Sequence, residues 1–238
     1  MKVFYDLHIH SCLSPCADDD MTPYNIVNMA KLKGLDIIAL TDHNSCKNCP
    51  ALVEVARKAG LNAVPGMELC TSEECHVICL FPTLEAAMEF DAFVEGKLPT
   101  IMNNPEVFGT QIIMDKNDDI SGHVPILLAA ASSISIDEVA RQVRKLGGAS
   151  FPAHIDRPSF SVISSLGTVP DIGFTAFEIS PHGKVGELGL KYPLIREKTI
   201  IYNSDAHSLG DIGERERWIE LDSPSPEILI EKLNYGCL

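Results

Sequence analysis

The chain has 238 residues, of which 45% are hydrophobic and 22% are charged, and its formal net charge is −14. This length and composition are enough to bury a full hydrophobic core, and they exclude a chain that is disordered throughout. The acidic balance argues against a general binder of nucleic-acid backbones, although it suits a protein that carries several divalent cations.

The N-terminus and the apolar stretches show no targeting or membrane signal. Residues 1–6 lead directly into a predicted strand, without a charged segment followed by an apolar one. The longest apolar stretch, residues 125–131, is far shorter than the ~20 residues that span a bilayer. We therefore expect a soluble, cytoplasmic protein with no membrane partner, in which the cysteines are reduced.

Strand-like apolar runs alternate with helix-like segments along the chain. Thr22 before Pro23 marks one helix start, and Gly34 and Gly60 mark helix ends. The alternation predicts a parallel sheet buried on both faces, within a single α/β domain over residues 1–238. In chain order the predicted elements are strand 3–10, helix 22–33, strand 36–40, helix 51–58, strand 62–70, strand 76–81, helix 84–95, helix 137–145, strand 149–154, strand 176–180, strand 199–203, strand 218–221 and helix 226–234.

Residues 99–133 interrupt this alternation. Two strand-like runs, 109–114 and 120–127, flank a polar segment and predict a β-hairpin that turns at Asn117-Asp118. We expect this hairpin to be an insertion beside or over the functional site, where it would shape substrate choice. A structural or dimer-forming hairpin is an equally good interpretation.

Histidines and carboxylates follow several predicted strands. His8 and His10 lie two residues apart on one strand, so their side chains face the same side. Asp205 and His207 repeat this spacing near the end of the chain. A single histidine on an apolar strand is usually a core residue, but five strand ends with such groups indicate a polynuclear metal site. The other candidates at or near strand ends are His43, Glu68, His76 and His154.

Four ordered motifs resemble those of the PHP (polymerase and histidinol phosphatase) family. They are Asp6-Leu7-His8-Ile9-His10-Ser11, Thr41-Asp42-His43, Gly66-Met67-Glu68 and Ser204-Asp205-Ala206-His207, and the resemblance extends over residues 3–207. It implies a distorted seven-stranded (β/α)7 TIM-like barrel that binds three divalent metal ions. The mixed histidine and carboxylate ligands leave zinc, manganese and iron open.

The resemblance also implies a ligand set for each ion. The first ion would take His8, His10, Glu68 and Asp205; the second would share Glu68 and add His76 and His154; the third would take Asp18, His43 and His207. Asp18 is chosen by its distance from Pro23. Because residues 15–17 are extra at this point, Asp19, Asp20 and Cys16 could each take its place. His76 follows Glu68 unusually closely in the sequence, and His123 is the alternative candidate for the same ligand position.

The function implied is a metal-dependent hydrolase of phosphoesters, in which metal-bound hydroxide attacks a small phosphomonoester such as histidinol phosphate or a nucleotide. Arg157 would bind the phosphate, unless it forms a salt bridge with an acidic residue. His182 would protonate the leaving group or contact the substrate, unless it is simply a loop histidine. Asp42 would orient a ligand histidine, and Lys184 is a weaker phosphate-binding candidate.

Three other functions stay open. A nuclease or phosphodiesterase could act on short RNA or DNA ends or on cyclic or bisphosphorylated nucleotides; only 6% of residues are aromatic, which gives long strands little stacking surface. A non-catalytic, metal-stabilised module is the second. A redox or iron sensor is the third, because Cys12, Cys16, Cys46 and Cys49 could form a zinc or iron–sulfur site, although such cysteines are most often simply buried. The sequence does not determine the substrate or the oligomeric state.

Overall fold

The structure is a computed structural model, and it describes residues 1–235. The strands are β1 (Lys2–Ile9), β2 (Ile37–Leu40), β3 (Asn62–Cys70), β4 (His76–Leu80), β5 (Ile112–Met114), β6 (Ile120–His123), β7 (Ala149–Pro152), β8 (Ala176–Glu178), β9 (Thr199–Ile201) and β10 (Trp218–Glu220). The helices are α1 (Pro23–Leu32), α2 (Cys49–Ala59), α3 (Leu84–Glu95), α4 (Pro105–Phe108), α5 (Ile136–Lys145), α6 (Val162–Leu166), α7 (Val185–Lys191) and α8 (Pro226–Tyr235).

The five predicted helices are confirmed to within two residues at each end. Their boundaries follow local signals, since Thr22 Oγ1 accepts a hydrogen bond from Asn25 N at the start of α1. Gly60 ends α2 with a φ of 69°, a left-handed conformation that glycine adopts without strain. The short helices α4, α6 and α7 were not predicted.

Six strands form one mixed sheet in the order β10-β1-β2-β3-β4-β7. The strands β1, β2 and β3 are parallel, whereas β4 is antiparallel to both β3 and β7, and β10 is antiparallel to β1. The prediction of a parallel sheet is therefore confirmed for β1 to β3 and wrong for the pairs that involve β4 and β10. For β3 and β4, the reason is the five-residue connection 71–75, which is too short for the crossover that a parallel pair requires.

The strands β8 and β9 form a separate parallel pair. Ile155 N donates a hydrogen bond to Glu178 O at 2.9 Å, so this pair lies beside the end of β7. On its other side, His10 N donates to Ala206 O at 3.0 Å. The fold is mixed α/β, but the expected count of seven strands is not confirmed, since the main sheet has six.

The sheet is buried on both faces, as predicted. Alternate residues of β2 pack into two different hydrophobic clusters, Ile38 and Leu40 into one and Ile37 and Ala39 into the other. One side is covered by helices such as α5, whose buried residues are Ile136, Val139, Ala140 and Val143. No helix within residues 1–235 is long and apolar enough to cross a membrane.

The predicted hairpin is present as the antiparallel pair β5–β6, and both of its strands are shorter than expected. The turn spans residues 115–119, with Asp118 at a φ of 68°. Ile112 N donates to Cys12 O at 2.8 Å, and Met114 N donates to Asn48 Oδ1 at 2.8 Å. These bonds hold the hairpin against the loops that follow β1 and β2.

Candidate metal centre

Eight of the nine predicted metal ligands, all but Asp18, come together where β1, β3, the start of β4 and the loops after β2, β7 and β9 meet. Backbone contacts hold these segments together, including a parallel bridge between His43 and Glu68. Two of the residues, His154 and Asp205, have positive φ angles of 29° and 55°. Such backbone conformations are uncommon for residues other than glycine, and they cluster at functional sites.

One group joins the four residues that the resemblance assigns to the first ion. Its members are His8, His10, Glu68 and Asp205, whose ligand atoms all lie within 4.8 Å of one another. The Nε2 atoms of both histidines lie 3.1 Å from Asp205 Oδ1 and 3.3 Å from a Glu68 oxygen. His8, His10 and Glu68 are buried and Asp205 is partly buried, so their nitrogen and oxygen atoms converge on one largely enclosed point.

Glu68 also faces a second set of histidines. Its Oε1 lies 2.9 Å from His76 Nδ1 and 3.1 Å from His154 Nε2. Its Oε2 lies 3.0 Å from His43 Nδ1. The carboxylate is therefore placed between two sets of imidazoles, as the resemblance implies for a ligand shared by two ions.

A third group joins His10, His43 and His207, whose ligand atoms also lie within 4.8 Å of one another. Asp18 belongs to none of the three groups found within residues 1–235; its side chain is exposed, and its backbone N donates to His207 O at 2.9 Å. Cys16, which the sequence offers in place of Asp18, has its Sγ 3.1 Å from His207 Nε2.

Asp19, Asp20 and His123 belong to none of these groups either. Asp19 and Asp20 are exposed, and Asp19 Oδ1 accepts a hydrogen bond from Thr110 at 3.1 Å. His123 is exposed on β6 of the hairpin. His76 is therefore the better placed of the two histidines that the sequence left open.

A buried carboxylate orients His8. Both oxygens of Glu178 lie 3.0 Å from His8 Nδ1, and Asn203 Nδ2 donates to Glu178 Oε2 at 2.6 Å. A proton held on Nδ1 leaves Nε2 free to bind a metal ion. Sequence reasoning missed Glu178 and Asn203; the available signal was an acidic residue within the apolar run 176–180.

Asp42 acts on His10 through a serine. Ser14 Oγ donates to Asp42 Oδ1 at 2.7 Å and lies 2.9 Å from His10 Nδ1. Because the hydroxyl proton goes to Asp42, the serine oxygen accepts the Nδ1 proton of His10. Ser11 N and Oγ also donate to Asp42, both at 2.6 Å, which fixes the carboxylate. Sequence reasoning missed Ser14.

The charges of the centre are strongly coupled. Burial alone lowers the pKa of His10, but its contacts with Asp205 and Glu68 outweigh burial and raise the pKa to about 9. Burial and Glu68 oppose each other in the same way at His43, whose pKa is also raised to about 9. Burial raises the pKa of Glu68, yet the surrounding histidines hold it well below its usual value. Burial and the neighbouring His10 lower the pKa of His207 to about 4.

The donor set fits divalent metal ions. Three buried atoms of the centre, His43 Nδ1, His154 Nδ1 and Asp205 Oδ1, make no hydrogen bond, although the first and the last lie 3.0 and 3.1 Å from other atoms of the centre. A buried polar atom without a partner costs free energy. Imidazole nitrogens together with carboxylate oxygens are ligands for zinc, manganese and iron.

Two of the remaining candidates lie at the edge of the centre. Arg157 Nη1 lies 2.6 Å from Asp205 Oδ2, and its side chain is 42% exposed. His182 is exposed and shares with Asp205 the lining of a cavity of about 660 Å³. Lys184 is exposed, and among the described residues its one salt bridge is with Glu187 on α7, at 3.0 Å.

The four cysteines do not form a shared metal site. Sγ of Cys46 and Sγ of Cys49 both donate to Gly66 O, at 3.1 and 3.4 Å, and Cys12 is buried against the hairpin. No group of metal-ligating atoms within residues 1–235 joins three of them. The prediction that such cysteines are simply buried is confirmed for these three, and Cys16 is exposed.

The protein has a mixed α/β fold with a largely buried cluster of histidines and carboxylates at the strand ends. These two features place it among the metal-binding α/β proteins. The sequence matches the PHP domain family over residues 6–150, so the chain belongs to that family.

Known proteins with similar sequences or folds include two nucleases. The 5′-3′ exoribonuclease Rnm of Salmonella typhimurium is 37% identical over 78 residues, which are 32% of this chain and 26% of that protein. An uncharacterized protein of Methanocaldococcus jannaschii is 33% identical over 76 residues, 29% of this chain and 44% of that protein. The chain thus matches less than half the length of either relative. The lesion-specific endonuclease PfuEndoQ of Pyrococcus furiosus has a similar fold, with a TM-score of 0.68 and 21% identity over 99% of this chain and 56% of that one.

Proposed function

We propose that this protein is a metal-dependent phosphoesterase that hydrolyses a small phosphomonoester, such as histidinol phosphate or a nucleotide. The observation that carries the proposal is the convergence of His8, His10, Glu68 and Asp205 on one buried point, with further histidines around Glu68. Membership of the PHP domain family and the similarity to nucleases support phosphoester chemistry.

The proposed ligands are those of the sequence analysis. His8, His10, Glu68 and Asp205 hold one ion, Glu68, His76 and His154 hold a second, and His43 and His207 hold a third together with the ligand expected at Asp18. Bound divalent ions supply water whose pKa is lowered to about 7, and they neutralise charge on the phosphate. Zinc, manganese and iron all suit these ligands.

The protein's own groups bind and orient the substrate. Arg157 is partly exposed and pairs with Asp205, so a phosphate at the centre would compete for its guanidinium, which binds two phosphate oxygens at once. His182 lines the adjoining cavity and is the proposed donor of a proton to the leaving group. Asp42 holds His10 in one orientation through Ser14.

Two features of the architecture belong to the same proposal. The hydrogen bonds from Ile155 to Glu178 and from His10 to Ala206 support a distorted ring of seven strands, β1 to β4 and β7 to β9. We assign residues 1–238 to a single domain, in which residues 99–133 are an insertion. The contacts of the hairpin with Cys12 and Asn48 support a position beside the centre.

The second candidate function is a nuclease or phosphodiesterase that acts on short RNA or DNA ends or on cyclic or bisphosphorylated nucleotides. It is favoured by the similarity to an exoribonuclease. A net charge of −14 still argues against long polymers.

The first test is phosphate release by the manganese-loaded protein from a panel of phosphomonoesters. The panel includes histidinol phosphate, 5′ and 3′ mononucleotides and 3′,5′-bisphosphorylated adenosine, with a chelator control and short 5′-phosphorylated RNA as a second substrate class. We expect chelator-sensitive release from one or a few members. His10→Ala and Glu68→Gln should lower that rate by at least ~100-fold, because each removes a metal ligand.

The matched control is His123→Ala, which removes an exposed histidine of the hairpin and should leave the rate unchanged. Cleavage of the RNA without release from any monoester would favour the second candidate. Wild-type turnover in both His10→Ala and Glu68→Gln would refute the proposed site.

A further inference from the structure

Cys16 holds a thiol at the solvent-facing edge of the metal centre. It is the one exposed cysteine within residues 1–235; the other six described there are buried. Its Sγ lies 3.1 Å from His207 Nε2, and it also interacts with the side chain of His43. These two histidines are the proposed ligands of the third ion.

The histidines around Cys16 lack an anionic ligand of their own. The group His10, His43 and His207 contains only imidazoles, and His10 also faces Asp205 and Glu68 of the first group. His43 Nδ1 is buried and makes no hydrogen bond, and it lies 3.0 Å from Glu68 Oε2, so this nitrogen faces the carboxylate and not Cys16. An ion held by His43 and His207 therefore needs at least one further donor, and a thiolate would also balance its charge.

The backbone fixes the segment that carries Cys16. On one side, Ala17 N donates to Ser14 O at 3.1 Å, and on the other, Asp18 N donates to His207 O at 2.9 Å. The hairpin backs this segment closely, since a Cβ on Gly109 would lie only 2.7 Å from Pro15 O. Cys16 is thus placed between two anchored points, whereas the Asp18 side chain is exposed and joins no group among the described residues.

We infer that Cys16, rather than Asp18, is a ligand of the ion held by His43 and His207. The inference rests on the proposed metal-dependent function and deepens it. On binding, the thiol proton passes to solvent and a sulfur–metal bond forms. Because thiolate prefers zinc or iron to manganese or magnesium, this position would favour zinc or ferrous iron, whereas the carboxylate-containing positions also suit manganese.

The test compares the full-length wild type with Cys16→Ser, Cys16→Asp and the matched control Asp18→Asn. Each protein is stripped of metal and reconstituted with cobalt(II) or zinc. Metal content per chain is measured by mass spectrometry, and a sulfur-to-cobalt charge-transfer band is sought in the near ultraviolet. Alkylation of Cys16 by iodoacetamide is followed by peptide mapping, which separates it from Cys237, a residue outside the described range.

We expect wild type and Asp18→Asn to show the band and to hold the same number of ions. Cys16→Ser should lose the band and bind the last ion at least ~10-fold more weakly, because it removes a ligand rather than a supporting contact. Cys16→Asp should keep the ion but lose the band. Zinc should slow alkylation of Cys16 in the wild type.

Three results would overturn the inference. They are a full ion content and an unchanged band in Cys16→Ser, a loss of one ion in Asp18→Asn alone, and alkylation that zinc does not slow in protein shown to hold its ions. A wild type that binds no metal would overturn the proposed function itself, and the metal content distinguishes that failure from the other three. Because Cys16 is exposed, the metal-free thermal unfolding curve of Cys16→Ser should match that of the wild type.

Discussion

At the scale of single residues, the two histidines of β1 are each held by a partner on Nδ1. His8 faces Glu178, and His10 faces Ser14, which is bound in turn to Asp42. In both cases Nε2 points at Glu68 and Asp205. When the rings are neutral, as metal binding requires, the partners thus select the tautomer in which the metal-facing nitrogen is unprotonated.

Substitution of Glu178 should weaken metal binding without removing a ligand. Glu178→Gln keeps the size of the side chain but removes the negative charge that faces His8 Nδ1. The same charge strengthens the hydrogen bond that Glu178 accepts from Asn203. We expect the affinity for the first ion to fall by about 10- to 100-fold, the usual effect of removing such a partner. The affinity is measured by competition with a chromogenic chelator.

Glu187→Gln is the matched control, because Glu187 on α7 is exposed and, among the described residues, pairs only with Lys184. Equal affinities in Glu178→Gln and wild type would show that Glu178 does not orient His8.

The site residues differ in how far the sequence could reveal them. His8 and His10 follow from the two-residue period of a strand, which is a local property. Glu178 lies 170 residues from His8, so their contact depends on how β8 packs beside the first strands. No spacing rule could have connected them.

At the scale of elements, the close pairing of β3 and β4 positions Glu68. Gly66 lies opposite Leu80 in this antiparallel pair, two residues before Glu68. A Cβ at Gly66 would lie 2.7 Å from Cys79 O and 2.9 Å from Leu80 Cδ2. Only glycine therefore fits at this point without moving the β4 backbone.

Gly66→Ala should destabilise the metal-free protein by about 1–3 kcal/mol, the usual cost of overpacking a core position. It should also lower metal content, because the displaced strand carries Glu68. Denaturant unfolding and metal analysis measure the two effects.

Gly122→Ala on β6 is the control, since the nearest atom there, Ile113 Cδ1, is 3.8 Å away. If Gly66→Ala were as stable as Gly122→Ala, the close approach would not constrain β3.

At the scale of the whole molecule, stability, pH and metal binding should be linked. The pKa values of His10 and His43 are about 9 in the folded protein, against a usual value of 6.5. A raised pKa of this kind contributes stability that is fully present below pH 6.5 and is lost as the pH rises through about 9. One such shift corresponds to ~3 kcal/mol, and the two are not additive because both depend on Glu68.

We expect the metal-free protein to have a lower Tm at pH 9.5 than at pH 6.5. The gain in Tm on adding zinc should grow over the same range, because the ion competes with the protons on His10 and His43. Thermal unfolding with and without a chelator measures both trends. The lowered pKa of His207 acts below pH 6.5, outside this window.

His10→Ala provides the comparison, since it should flatten the decline of the metal-free Tm with pH. A metal-free wild type that is equally stable at pH 6.5 and 9.5 would contradict the proposed charge coupling.

The sequence by itself determined the five longer helices, the strands, the hairpin and the chemical type of the site. These features depend on signals within a few residues, such as Thr22 before α1, Gly60 after α2 and the pair His8 and His10 on β1. Only the tertiary structure decided the antiparallel direction of β4, the support of His8 by Glu178 and the position of the Cys16 side chain, rather than that of Asp18, beside the His207 ring. Those outcomes depend on strand pairing and packing between segments far apart in the chain, which no local pattern encodes.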